Sequence, residues 1–281
     1  MRLLLTSDLH CDGTKLQWLI ESAPAHDALL VAGDLLDIFS NAGFAEQKSK
    51  IIRWKSSVLA RERALAWCSG NHDFFHGDRT PMSDATPLWM RESPATRMFV
   101  PDGESWLIET PGGRFAVTTL PWPLHCGDLM INGCRTNFID FTTKLLRSGK
   151  RLQVEECVPW MVVCHEPPGN TPLAANYTAR EADFARMIIE AAGPDFSLHG
   201  HIHEGFWICQ LGKTVCFNSG QSAAGEVPHF VLLEWRAPGD YTAIWHGAGR
   251  VLRAEAKPGD MMEPLPPEFE ANGEDFRDES N

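Results

Sequence analysis

Five short clusters carry the side chains in this chain that are able to do chemistry. They are Asp8-Leu9-His10, Gly33-Asp34-Leu35-Leu36-Asp37, Gly70-Asn71-His72-Asp73, His165 and Gly200-His201-Ile202-His203. Each directly follows an apolar run: LLLTS, LLVA, LAWCS, WMVVC and FSLH in that order. Carboxylate, imidazole and amide oxygen, with no thiolate among them, suit Mn, Fe, Ni, Co or Zn. Asp34 has two carboxylate oxygens and can bridge two cations, the arrangement that two-metal hydrolysis uses. Asp8 and His10 are two apart, as are His201 and His203, and on extended backbone each pair shares a face. One such histidine alone would more often be a satisfied strand-end or surface side chain. Five clusters in order at strand ends instead predict metal ligation by Asp8, His10, Asp34, Asn71, His165, His201 and His203.

The elements that must position these clusters are legible in the hydrophobic pattern. Short apolar runs at 3–6, 28–32, 65–68, 106–108, 115–120, 160–164 and 196–198 read as strands. Their carboxyl ends would open onto one crevice, as in open α/β sheets. Ile51, Trp54, Val58 and Leu59 repeat at helical spacing, as do Phe138, Phe141 and Leu145, and Phe184, Met187, Ile188 and Ala191 before Gly193-Pro194. Such stripes are core-facing. Later runs at 206–209, 214–217, 230–234 and 241–245 read as an antiparallel meander. The expected fold is α/β, with two sheets sandwiched between helices. His199 is expected to end its strand as a structural residue. His26, His125, His229 and His246 have no ligand context, and Cys11 and Cys164 are expected to point away from the metals.

Composition bounds the alternatives. The chain has 281 residues and a formal charge of −12. Residues 258–281 hold eight carboxylates against Arg277 alone, or −7, which leaves −5 on residues 1–257. We therefore expect one domain over 1–257 and an acidic, Pro-containing, flexible tail over 258–281. A body with more acids than bases offers no footprint for a nucleic-acid backbone or an anionic membrane, so neither is an expected partner. The eight cysteines form no CxxC pair and are expected to be free thiols. The start, MRLLLTSD, has no signal-peptide pattern, and no apolar stretch is long enough to span a bilayer. The expected location is cytoplasmic.

SDLH, GDLLD, GNHD, VCHEPP and GHIH together resemble, in order and type, the motifs of the calcineurin-like metallophosphoesterase superfamily. The resemblance covers about residues 1–235. It implies a four-layer αββα sandwich of two mixed β-sheets flanked by helices, with a dinuclear site in which Asp8, His10, Asp34 and His203 hold one ion and Asp34, Asn71, His165 and His201 the other. It also implies that His72 acts beside the leaving group and that Asp37 orients His72. The expected reaction is hydrolysis of a phosphodiester or small phosphate ester by a hydroxide bridging the ions, with Asn71 also contacting substrate.

Branches of the family separate on single residues. Its Ser/Thr phosphatases carry Arg after the second Asp of GDxxD and GNHE later; here those positions are Ile38 and Asp73. The lipid-A-pathway UDP-diacylglucosamine hydrolases resemble GDLLDIF but usually have Arg where His72 stands. GNHD and GHIHEG look most similar to class III cyclic-nucleotide phosphodiesterases and metallophosphoesterase-domain relatives. A non-catalytic scaffold on this fold, or a nuclease-like member, is the alternative from another class. Loops at 74–105, 121–136 and 166–178 are expected to select substrate. Arg79 is a candidate phosphate clamp, and Trp89, Trp122 and Tyr177 are candidate base-stacking residues.

Overall fold

The computed structural model describes residues 1–74, 86–91, 93–122, 128–131, 134–203 and 207–257. Arg79, His76, His125 and the acidic tail fall outside them. The elements in order are β1 (Arg2–Thr6), α1 (Gly13–Glu21), β2 (Ala28–Ala32), α2 (Phe44–Leu59), β3 (Ala64–Cys68), β4 (Phe99–Val100), β5 (Ser105–Thr110) and β6 (Gly113–Leu120). There follow β7 (Asp128–Ile131), β8 (Cys134–Asn137), α3 (Phe138–Glu156), β9 (Trp160–Cys164), α4 (Arg180–Ala192) and β10 (Phe196–His199). The chain continues as β11 (Ile208–Leu211), β12 (Thr214–Asn218), β13 (Phe230–Ala237), β14 (Asp240–Gly247) and β15 (Arg250–Ala256).

One sheet runs β15-β14-β13-β1-β2-β3-β4, the other β11-β12-β10-β9-β6-β5, and β7 pairs with β8 separately. β1, β2 and β3 are parallel neighbours, as are β6, β9 and β10. Parallel strands covered on both faces must be apolar throughout. ALLVA, ALAWC and WMVVC meet that demand and are buried along their whole length. Alternate residues then feed different layers. Leu3 and Leu5 join Val117, Met161, Val163 and Leu198 between the sheets, while Leu4 packs outward with Leu29, Ile51 and Trp54 beneath α1 and α2. Trp160, Val162, Phe138 and Ile188 fill the layer under α3 and α4. The result is the expected αββα sandwich.

Two readings need correction. The late strands do not form one meander. β11 and β12 form a hairpin in the second sheet, with β12 parallel to β10. β13, β14 and β15 form the meander, joined antiparallel to β1. Between them the chain crosses sheets and is fastened by a 2.8 Å contact between Ser219 Oγ and Ser7 Oγ and by the Lys15 ammonium donating to the Ser222 carbonyl at 2.9 Å. In α4 the buried stripe is Ala182, Ala185, Ile188 and Ile189, and Met187 is 52% exposed. Ala185 shares the layer beneath α4 with the larger Trp160 and Val162 of β9.

Candidate metal centre

β1, β2, β3, β9 and β10 end at Thr6, Ala32, Cys68, Cys164 and His199, each just short of its cluster. The sequence predicts convergence through extended backbone, and the structure replaces that device with another. Asp8 (φ 53°), His10 (φ 47°), Asp34 (φ 51°) and His201 (φ 64°) are left-handed. Non-glycine residues in that region are strained, and they persist where surrounding bonds hold them. Here Asp8 N donates to the Gly33 carbonyl at 3.2 Å, His10 N to that of Asp34 at 2.9 Å and Cys11 N to that of Leu35 at 2.8 Å. The loop after β1 is thereby laced to the loop after β2.

The next two loops are joined through Asp73. Its fully buried carboxylate accepts from Gly70 N at 2.8 Å, Leu36 N at 3.0 Å and Leu35 N at 3.3 Å. Burial, with the negative charge of Asp34 nearby, pushes its pKa up to about 7. His72 N in turn donates to Asp34 Oδ1 at 2.9 Å. Two glycines permit this approach. A Cβ on Gly33 would fall 2.5 Å from His165 Nδ1, and one on Gly70 would fall 2.5 Å from Asp34 N and collide with its carboxylate.

Ligand atoms gather in two places, and Asp34 lies near His10 on one side and His165 on the other. In the first, Asp8 Oδ1 lies 3.4 Å from His203 Nε2, and ligand atoms of Asp8, His10 and His203 lie within 4.8 Å of one another. Both oxygens of Asp8 and both nitrogens of His10 are buried without a hydrogen-bond partner. Buried polar atoms are ordinarily paired, so these orphans fit a site that takes a cation through Asp8 and one nitrogen of His10. In the second, Asn71 Oδ1 sits 3.0 Å from both His165 Nε2 and His201 Nδ1, and Asp34 Oδ1 is 3.5 Å from His165 Nε2. The Asp8, Asp34 and His165 ligand atoms also lie within 4.8 Å of one another.

Charge explains the second locus. Burial pushes the His165 imidazolium toward neutrality, but the charges of Asp34 and Asp8 and the contacts to Asp34 and the Ala32 carbonyl together outweigh it and raise its pKa to about 10. His165 Nδ1 is spoken for by the Ala32 carbonyl at 2.8 Å, which can only accept. Nε2 is therefore the ring nitrogen that faces Asn71 and Asp34, the position from which it could ligate a cation. Burial would also raise Asp8 and Asp34, yet the neighbouring histidines hold both carboxyls below the usual range. Burial and the positive His165 lower His201 to about 4, keeping it neutral as a ligand must be. Donor types, orphaned atoms and charge all fit two metal ions.

His72 packs edge-on to His10, with ring centroids 4.6 Å apart, and its Nε2 is 3.9 Å from Asp34 Oδ2. Its ring also falls within 4.8 Å of ligand atoms of His10 and Asp34, a grouping the sequence does not suggest. Asp37 Oδ1 is 3.8 Å from His72 Nδ1, ion-pair range rather than a hydrogen bond, and accepts instead from Phe39 N at 2.8 Å. Ile38 N approaches His72 Nδ1 at 3.4 Å.

Sequence reasoning misses several supporting residues. Asp73 reads there only as the end of a motif. Gln47, 2% exposed, accepts from Asp37 N at 2.8 Å and donates to the Asp37 and Ala42 carbonyls at 3.0 and 2.9 Å. Its signal is a polar residue on the same helical face as Ile51, Trp54 and Val58. Of the stacking candidates, Trp89 is 2% exposed, with its indole N–H on the Asp73 carbonyl at 3.2 Å, so it braces the loop and cannot stack on a base. Trp122 packs on Phe74 with centroids 5.7 Å apart. Tyr177 lies edge-on to His201 at 5.3 Å, its hydroxyl bonded to the buried Glu166. His199 is structural, donating from Nδ1 to the Glu166 carbonyl at 2.8 Å and accepting from Ser197 Oγ at 2.8 Å. Cys11 and Cys164 are buried free thiols, and Cys157 is exposed.

Fold and site together define a metallophosphoesterase. Residues 1–205 match the calcineurin-like phosphoesterase family, and the chain belongs to it. Among solved structures, TT1561 of Thermus thermophilus is similar at 14% identity and TM-score 0.55, over 91% of this chain and 99% of that one. A dimetal phosphatase from Danio rerio is similar at 12% identity and TM-score 0.53, over 92% and 99%. GAP50, the anchor in the inner membrane complex of Plasmodium, is similar at 10% identity and TM-score 0.53, over 92% and 89%. At such identities the likeness shows the fold alone. No curated protein matches the chain. Among the described residues no helix is long and apolar enough to cross a membrane.

Proposed function

We propose that the chain is a dinuclear metal-dependent phosphoesterase acting on phosphodiesters or small phosphate esters, with Mn, Fe, Ni, Co or Zn as the ions. The observation that carries this reading is the position of Asp34, which has a ligand atom within 4.8 Å of one on His10 and also of one on His165. Asp8, His10, Asp34 and His203 would hold one ion, and Asp34, Asn71, His165 and His201 the other. When bound, the ions supply an activated water and neutralise charge on the phosphoryl oxygens. The chain's own residues do the rest. Asn71 fixes the phosphoryl group beside the second locus. His72 turns Nε2 toward the site while Nδ1 accepts from Ile38 N at 3.4 Å with Asp37 Oδ1 3.8 Å away, and the N–H on Nε2 gives its proton to the departing oxygen. Retention of His72 argues against a scaffold. GNHD and GHIHEG favour a phosphodiester in the manner of class III cyclic-nucleotide phosphodiesterases.

The test is a screen of metal-reconstituted protein over cyclic nucleotides, nucleotide diesters, phosphomonoesters and phospholipid head groups. Metal-dependent release of product from a diester, abolished by chelation, is expected. No turnover of any phosphate ester with two ions bound would overturn the reading.

A further inference from the structure

Phe39 is 82% exposed, in a loop that is anything but loose. Burying a phenyl ring is among the larger hydrophobic gains available to a side chain, so a fixed, exposed one needs a reason. The loop is fastened at both ends by Gln47 from α2, a buried amide that makes three hydrogen bonds to it. Inside the loop, Asp37 Oδ1 accepts from Phe39 N at 2.8 Å and Ser40 N donates to the Asp37 carbonyl at 3.3 Å. Phe39 is thus held against His72, ring centroids 5.4 Å apart and interplanar angle 77°. Ile38, 37% exposed, continues the apolar lip.

We infer that Phe39 is a specificity-determining residue that stacks on a planar aromatic group carried by the departing oxygen. The inference rests on the phosphoesterase reading, because it places the leaving group on the His72 side. An oxygen within hydrogen-bond reach of His72 puts a ring attached to it near the exposed face of Phe39, and stacked aromatic pairs prefer centroids about 4.5–7 Å apart. An alkyl group of the same length meets Phe39 without that stacking.

The test uses the full, metal-loaded chain and two phosphonates whose carbon–phosphorus bonds hydrolysis does not cleave, benzylphosphonate and propylphosphonate. By calorimetry the wild type should bind the benzyl compound roughly fivefold tighter, the middle of what an aromatic pair contributes. Phe39→Ala should lose that preference and Phe39→Trp should keep it; an exposed side chain can be replaced without unfolding the protein, which circular dichroism checks. Turnover of phenyl methyl phosphate and propyl methyl phosphate should show the same contrast in KM. An unchanged benzyl preference in Phe39→Ala would overturn the inference, as would no preference in the wild type. Absence of turnover of any ester by the wild type would instead overturn the phosphoesterase reading, and the phosphonate comparison would still decide the role of Phe39.

Discussion

Gly70→Ala isolates one contact on which the geometry of the site depends. Gly70 has φ −114°, so alanine meets no backbone strain and the effect is steric alone. Its new methyl would lie 2.5 Å from Asp34 N and 2.9 Å from Asp34 Cγ, where ordinary contact begins at 3.4 Å. The loops after β2 and β3 must then part by about an ångström. Asp73 opposes this, since its three bonds span the same two loops. Overpacking of this kind costs about 1–3 kcal/mol, which for a domain of this size lowers Tm by about 2–12 °C. A shift of about 1 Å in a reacting group can cost about 10²-fold in rate, and Asp34 is the proposed shared ligand. Thermal unfolding and elemental analysis should therefore show a lower Tm and depleted metal. Gly43→Ala, with nothing within 4 Å of the new methyl, is the control and should change stability by less than about 1 kcal/mol. Wild-type Tm and full metal content in Gly70→Ala would refute the close-approach reasoning.

Two further outcomes follow from single residues. His72→Asn should slow alkyl leaving groups by about 10²–10⁴ while scarcely affecting p-nitrophenolate, and should keep both ions; equal losses remove His72 from the acid role, and loss of an ion makes it a ligand. His199 is fully buried, and burial lowers its pKa to about 4 from the ordinary 6.5. Between those values the unfolded chain binds the extra proton, so the stability this neutral ring contributes is complete above pH 6.5 and lost as pH falls toward 4. The loss is about 3 kcal/mol. Urea unfolding at several pH values should show a steeper acid decline in the wild type than in His199→Asn; parallel curves would contradict the assignment.

Much of this was legible because ligand chemistry and strand burial leave local signals. Asp8, Asp34, His165 and His203 follow runs so apolar that only a strand buried on both faces accommodates them. What the sequence hid depended on tertiary bonds. Left-handed Asp8 and Asp34 cannot be read from residue type, because the strain is held by carbonyls of another loop. α1 went unseen although Asp12 caps it, accepting from Thr14 N at 2.8 Å. Its fully buried apolar residues are only Leu16 and Leu19, with Lys15 buried beside them to reach Ser222. β15 escaped because RVLRAEA is an edge strand exposed along most of its length. Trp89 could be seen as aromatic but not as buried, since its partner Trp67 comes from β3, centroids 6.2 Å away.

The central claim is that Asp34 joins two cation loci, and metal stoichiometry tests it most directly. The wild type, reconstituted with Mn and desalted, should carry two ions per chain by elemental analysis. His203→Ala should retain one, because Asn71, His165 and His201 still surround the second locus. Asp34→Ala should retain neither. Two ions per folded chain in Asp34→Ala would contradict the account.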